Sequence, residues 1–455
     1  MSQFDNISPL DYRYYSEEFK KYLSEEARIA YQSRVEVALA KALAAEGICS
    51  AKIAKEIEDA SKKVTAQEVY EGEKKTRHDI RALVNSIRDK VSDEAKPFVH
   101  LTSTSYDIVD TSNALRYKEA TEELVLLVLR ELEKTLIEIA LREKGTIQIG
   151  RTHGQHAEPI TFGFAVAGYV SRLGNRIKQI ETAKDALVGK FSGAVGAYNA
   201  SSLLVKDAKK FEERIMTELG LGVSPSSTQI VEPEPTTDLM HAFVSAFGIL
   251  ANFSDDMRNL QRSEIAEVGE AFEKNQVGSS TMPHKRNPIN FENVKSFYKE
   301  FMPRMFTVYL DQISEHQRDL TNSASQRFIP EIMAGLVSSA KRLNKVCSKM
   351  VVDKENMERN FMVSSASIVA EPLYILLAFH GHPDAHETVK QLTLRADKEG
   401  TPLMKIVDGE ADLKPYLAKF SAEQKGIIAD PKKYIGLAEK KTELLCNQWK
   451  KELGL

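Results

Sequence analysis

Asp110 to Lys144 reads DTSNALRYKEATEELVLLVLRELEKTLIEIALREK, 35 residues without a glycine or a proline. Leu124, Leu127, Leu132, Leu136, Ile139 and Leu141 recur through it at mixed steps around three and four residues, among Glu, Arg and Lys. That spacing predicts a helix with a broad apolar face. Read as one helix it would extend ~50 Å. An apolar stripe of that length needs neighbouring helices to cover it, so the stretch argues for a long bundle. A second span free of Gly and Pro, Leu336 to Glu371, predicts more of the same. No series of alternating, β-branched segments with hairpin turns occurs, and runs such as Gly145-Thr-Ile-Gln-Ile-Gly150 predict only brief extended pieces. The fold class expected is mainly α.

Working outward, residues 1–104 carry shorter helical patterns, such as Arg34 to Glu46 closed by Gly47. Residues 105–352 hold the longest patterns. Residues 353–455 return to short segments, split by Gly381-His-Pro383, Gly400-Thr-Pro402 and Asp430-Pro431. A three-domain division at these bounds is the expectation. With 455 residues the chain is long enough for a substantial core. Hydrophobic residues make up 42% and charged residues 28%, the balance of a soluble globular protein. A net charge of −3 gives no reason to expect a nucleic-acid or membrane partner, so any anion site must be a local concentration of positive charge. Three cysteines, Cys49, Cys347 and Cys446, lie far apart without CxxC spacing, which suits a reducing cytoplasm. The N-terminus has no apolar leader pattern, and no stretch offers the roughly 18 uninterrupted apolar residues of a membrane span.

Four polar segments interrupt the helical pattern. They are Thr76-Arg-His-Asp79, His100-Leu-Thr-Ser-Thr-Ser-Tyr-Asp107, Gly150-Arg-Thr-His-Gly-Gln-His-Ala-Glu-Pro159 and Gly278-Ser-Ser-Thr-Met-Pro-His-Lys-Arg-Asn-Pro-Ile289. Each mixes His or Lys with hydroxyl, acid or Arg groups. A lone histidine is usually structural, but the same mixture in four places points to a shared site. His153 and His156, at i and i+3, would share a helix face as metal ligands do; Gly154 between them and the lack of HExxH or a Cys pair argue against it. GxxxxGK[ST] is absent and no GxGxxG follows a strand, so neither a phosphate loop nor a dinucleotide cofactor is indicated. The 278–289 loop reads either as a solvated connection or as a site for an anionic substrate.

GSSTMPHKRNP resembles the signature loop, GSSxMPxKxNP, of the fumarase/aspartase superfamily, whose members eliminate fumarate from succinyl-type substrates. The resemblance covers nearly the whole chain, with TRHD at 76–79, TSxD within HLTSTSYD, the THxQxA-type segment at 152–157 and QRDLTNSASQR at 317–327 in the family's order. Within the superfamily the chain is most similar to the adenylosuccinate lyases. The resemblance implies a three-domain helical subunit, a homotetramer with active sites shared between subunits, a succinylated purine nucleotide or its precursor as substrate, and no metal or organic cofactor.

Such a reaction removes a weakly acidic proton beside a carboxylate, so the site must supply a base, donors for the developing charge and an acid for the leaving nitrogen. Serine is a poor base unaided, and residue type alone favours a histidine. The resemblance assigns the base to Ser279 and the general acid to His153. It assigns Thr104, Ser105, Thr152, Gln229, Lys285 and Asn287 to the succinyl group. Arg13 and Tyr14 match a contact to the nucleotide end, as do Arg318, Ser323 and Arg327. Arg77, His78 and Asp79 form a further binding element, and His100 joins His78 in binding or orientation. Two Arg forks with a Ser hydroxyl suit a phosphate or carboxylate. Asn293 stands where some members have Arg, which bears on the phosphate contacts alone. Two other readings compete: an argininosuccinate lyase or another fumarate-releasing relative, and a scaffold protein that keeps the fold without the chemistry. The full set Ser279, Lys285, Asn287 and His153 argues against the second.

Overall fold

The computed structural model describes residues 5–272, 281–282 and 284–455. It is 67% helical, with few strands, as the periodicity predicts. Among its elements are α1 (Glu25–Ala45), α2 (Ala66–Thr76), α3 (Asp79–Arg88), α4 (Ser105–Ala120) and α5 (Leu126–Arg142). A hairpin of β1 (Ile147–Thr152) and β2 (Gln155–Thr161) follows, then α6 (Phe162–Asp185), β3 (Val188–Gly189), β4 (Gly222–Val223), α7 (Glu234–Leu260) and β5 (Val268–Gly269). The chain continues through α8 (Ile289–Phe301), α9 (Pro330–Cys347), β6 (Val351–Val352), α10 (Lys354–Ile368), α11 (Ala370–Phe379) and α12 (Ala438–Leu453).

The 110–144 stretch is helical to Arg142, but α4 and α5 are joined by a π-helical turn at Thr121–Val125. Leu124, Leu132, Leu136 and Ile139 are buried as their spacing predicts, whereas Leu127 faces outward. The second uninterrupted span is not one helix. After α9 ends, Val351 and Val352 pair antiparallel with β5, and Asp353 accepts from the Asn356 N–H to start α10. Two β-branched residues followed by an N-capping Asp break the helix without help from Gly or Pro.

Two compact units emerge. The first comprises Met1–Arg130, Asn175–Leu250 and Val294–Arg342. In it α1 packs on α4 through a core that includes Val35, Leu39 and Leu43, α2 packs on α3, and β3 pairs parallel with β4. The second comprises Glu131–Gly174, Ala251–Asn293 and Leu343–Leu455. Here the β1–β2 hairpin lies against α10, and Val369, Leu373 and Leu377 build a separate apolar cluster with Leu392 and Val407. One stretch, Lys354–Phe379, has the length and mean hydropathy (1.7) of a membrane span by composition alone. It is two helices that part at Val369, with Glu371 and Pro372 in the first turn of α11, and three of its buried apolar residues sit in that cluster.

Candidate active site

In the first unit the polar segments converge on the start of α4. Thr104 is the N-cap residue, and its backbone N–H donates to Asp107 Oδ2 at 2.8 Å. An acceptor three residues into the helix satisfies a group that the first turn cannot pair internally. Ser105 opens the helix, with His78 beside it. The His78 imidazole caps α3: its Nδ1 accepts from the Arg81 N–H at 3.3 Å. That leaves the proton of the neutral ring on Nε2, which lies 3.2 Å from Ser105 Oγ. Arg77, one residue earlier, is exposed and holds a left-handed backbone (φ 55°) at the corner between α2 and α3. Asp79 Oδ2 lies 3.8 Å from both Arg28 and Arg327.

On another side of α4, the Arg318 guanidinium stacks over the Tyr106 ring at 3.6 Å and donates to Gln229 Oε1 at 2.9 Å. Cation and ring face each other in the favourable arrangement, and the fork is held in one plane. Ser323 and Arg327 are exposed on the segment that follows. Arg13 is exposed after the short helix Pro9–Tyr12, and Tyr14 packs its ring edge-on against Phe297 at 4.4 Å.

His100 behaves differently. Its Nδ1 lies 2.6 Å from Oε1 of Glu36, whose side chain is fully buried. Burial works against the imidazolium, but the charge and hydrogen bond of Glu36 outweigh it, so its pKa is raised. The His100 and Thr102 backbones are left-handed (φ 66° and 70°), and Thr102 Oγ1 and Ser103 Oγ have no partner among the described residues. This short loop stores strain next to the Thr104–Ser105 turn.

Residues to which the sequence assigned no role lie beside this cluster. Asp107 and Lys190 form an ion pair with no solvent exposure. Burial pushes the Asp110 carboxyl up to about 7, against the pull of the Val231 N–H. The only local signal was Asp107 itself, three residues after Thr104 in a capping-box spacing.

The second unit carries the THGQ segment as the tip of a hairpin. Thr152 pairs with Gln155, and both intervening residues are left-handed, His153 at φ 54° and Gly154 at φ 76°. Two positive φ values in a two-residue loop mark a type I′ turn, whose twist matches the strands. The turn puts the His153 ring on an exposed tip. His153 and His156 therefore do not share a helix face; His156 instead lies 2.7 Å from Ser364 Oγ on α10. Gly150 permits the strands to close, since a Cβ there would meet Glu158 O at 2.5 Å. Below the tip, the fully buried Glu267 accepts from Arg151, Gln148 and Asn360.

Ser279 lies outside the described residues. Beyond it, the Lys285 N–H donates to Met282 O at 3.0 Å, and Asn287 leads into α8. Glu270 caps that helix, accepting from the Asn290 and Phe291 N–H groups at 2.8 and 3.0 Å and from Asn290 Nδ2 at 2.6 Å. The Arg286 guanidinium stacks on Phe272 at 5.2 Å. Among the described residues no three His, Cys, Asp or Glu side chains group as metal ligands.

The sequence matches the family described as Lyase over residues 12–300 and that described as Adenylosuccinate lyase C-terminal over 314–423. Adenylosuccinate lyase of Pyrococcus abyssi is 38% identical over 97% of both chains. That of Bacillus subtilis is 32% identical, over 88% of this chain and 91% of its own. Among solved structures, 3-carboxy-cis,cis-muconate lactonizing enzyme from Pseudomonas putida superposes with a TM-score of 0.85 at 25% identity, covering 98% of this chain and 99% of its own. A fumarate lyase from Mesorhizobium sp. BNC1 gives 0.83 at 23% identity, covering 95% and 98%, and so shares the fold. The chain belongs to the adenylosuccinate lyase family of the fumarase/aspartase superfamily.

Proposed function

We propose that this C–N lyase splits adenylosuccinate into AMP and fumarate, and by the same β-elimination converts the succinylated aminoimidazole carboxamide ribotide (SAICAR) to its carboxamide product (AICAR). The observation that carries the reading is the cluster at the start of α4. There a hydroxyl, an imidazole and a guanidinium with its amide partner lie along the first turn of one helix. These are the donors that a dianionic succinyl group and a nucleotide require.

In this mechanism Ser279 takes the proton from the carbon beside the carboxylate. The developing charge passes onto that carboxylate, where Lys285 and Asn287 hold it, with Thr104, Ser105, Thr152 and Gln229 donating. His153 protonates the leaving nitrogen. Support for His153 comes from its exposed position on a rigid turn, where a ring is free to meet a substrate. Arg318, Ser323 and Arg327 receive the nucleotide end together with Arg13, Tyr14, Arg77, His78 and Asp79. His100, pinned to Glu36, orients the neighbouring turn.

The active enzyme is proposed to be a cytoplasmic homotetramer with sites shared between subunits, each subunit divided into domains of residues 1–104, 105–352 and 353–455. Mixing and reassembling inactive His153→Ala and Ser279→Ala chains should then restore part of the activity; no recovery despite verified subunit exchange would refute sharing. The substrate is tested by following fumarate from adenylosuccinate and, separately, from argininosuccinate. Release from the second alone overturns the assignment.

A further inference from the structure

We propose that Lys190, a residue given no role above, is a positioning residue: through Asp107 it fixes the start of α4 and the 227–231 segment so that Ser105, Gln229 and Arg318 meet one substrate. This inference rests on the assignment of those three residues to substrate.

The geometry is a closed ring of contacts. Lys190 Nζ donates to Asp107 Oδ1 and, at 3.1 Å, to Gly193 O. Its backbone N–H donates to Thr111 Oγ1 at 3.0 Å, and its carbonyl accepts from the same hydroxyl at 2.9 Å. Asp107 accepts in addition from the N–H groups of Thr104 and Gly193, at 2.8 and 3.2 Å. One carboxylate thus ties the N-cap of α4 to the 190–193 turn. From that turn the ring continues to the 227–231 segment. Ser192 Oγ lies 2.6 Å from Ser227 Oγ, and Gly196, with φ +77°, approaches so closely that a Cβ would fall 2.0 Å from Ser227 O. The segment is held at its other end by the Val231 N–H, which donates to Asp110 Oδ2 at 2.9 Å, one turn beyond Tyr106 on α4. Gln229, between these anchors, accepts from Arg318, and Arg318 stacks back on Tyr106.

Lys190 and Asp107 are both fully buried. An apolar pair of the same volume would pack there without the desolvation cost of two charges, so what the ion pair adds is geometric definition. Without the ammonium, Asp107 keeps its amide donors but loses its counter-ion. A buried carboxylate without its counter-ion either weakens as an acceptor by taking up a proton or moves, and both loosen its hold on the Thr104 N–H. Ser105 then leaves the position that sets it beside His78.

The test compares Lys190→Met with wild type as purified full-length enzyme, measuring fumarate release from adenylosuccinate. A fall in kcat of about 100-fold is expected, with a smaller rise in KM, in protein that keeps its helical content and assembly state. A matched control, Ile57→Ala in helix Ala51–Ser61, should lower the melting temperature yet keep kcat within about twofold. In a double-mutant cycle with Ser105→Ala, the double variant should be no more than about threefold slower than Lys190→Met, because both changes disable the same hydroxyl. Kinetic constants within about threefold of wild type for Lys190→Met, or effects that multiply in the cycle, overturn the proposal. Should Lys190→Met not fold, Lys190→Met/Asp107→Asn removes both charges and carries the same expectation; insolubility of that variant too makes the pair a folding requirement and overturns the positioning role. Wild-type enzyme without fumarate release refutes the substrate assignment, and this inference with it.

Discussion

Glu133 lies on α5 with no solvent exposure, and among the described residues neither of its carboxyl oxygens meets a donor. Cys446 of α12 is close by, its own thiol raised by burial and then by the Glu133 charge, and the Trp449 Nε1 one turn along is likewise without a partner among the described residues. Burial pushes the Glu133 carboxyl from its ordinary 4.5 up to about 9, so the folded protein keeps it protonated at neutral pH. Between those two values the folded state binds a proton that the unfolded state has lost. Stability therefore falls as pH rises through that window, by about 1.4 kcal/mol per pH unit.

Glu133→Met preserves length and removes the ionisable group. Relative to wild type it should gain about 0.7 kcal/mol at pH 5 and about 5 kcal/mol at pH 8, from the distance of each pH above 4.5. With about 2.1 cal/mol/K of unfolding entropy per residue, 455 residues unfolding together give about 1 kcal/mol/K. The midpoint difference should thus widen from under about 1 °C at pH 5 to about 5 °C at pH 8. Thermal melts of both proteins at one concentration, from pH 5 to 8.5, measure it. A pH-independent difference, or a variant less stable at pH 8, would show that Glu133 is ionised and paired and would refute the reasoning.

Glu36→Gln should cost about 2 kcal/mol at pH 6. His100 has a raised pKa, so its contribution is complete below the unfolded histidine value and fades as pH climbs through the folded one; melts of both proteins should converge toward pH 8.5. Gly150→Ala forces a methyl group against Glu158 O and should lower stability by about 1–3 kcal/mol while cutting kcat at least about tenfold through displacement of His153, read by melting and fumarate release. Glu270→Ala strips the cap from α8 and should cost about 1–2 kcal/mol, with faster amide hydrogen exchange at Asn290 and Phe291 as the direct readout.

The helices were legible because their spacing is a local property, and so were the polar segments, which break that spacing. Ser105 meets His78, and Gln229 meets Arg318, although the members of each pair lie in separate stretches of the chain. What escaped was everything that depends on partners distant in sequence. Lys190 reads as a surface lysine until Asp107, 83 positions away, is found beside it. Glu36 and His100 are 64 positions apart, and the first looks like an ordinary polar residue on an amphipathic helix. The break at Val351–Val352 has a local mark in two β-branched residues before Asp353, but the pairing with Val268–Gly269 that completes it is distant in sequence. Ser279, the residue on which the chemical reading most depends, is outside the described residues, and its role stands as a proposal.

The π turn at Thr121–Val125 gives one continuous rod two independent phases. Each residue advances a regular helix by about 100°, so one residue taken up in a wider turn re-clocks every side chain that follows. Upstream, α4 must aim Ser105, Tyr106, Asp107 and Asp110 at their partners; downstream, α5 must aim Leu132, Leu136 and Ile139 inward. Substitutions that adjust one half leave the angular setting of the other untouched, whereas loss of a single residue within the turn would misdirect one half at a stroke. The turn acts as a gearbox between chemistry and scaffold.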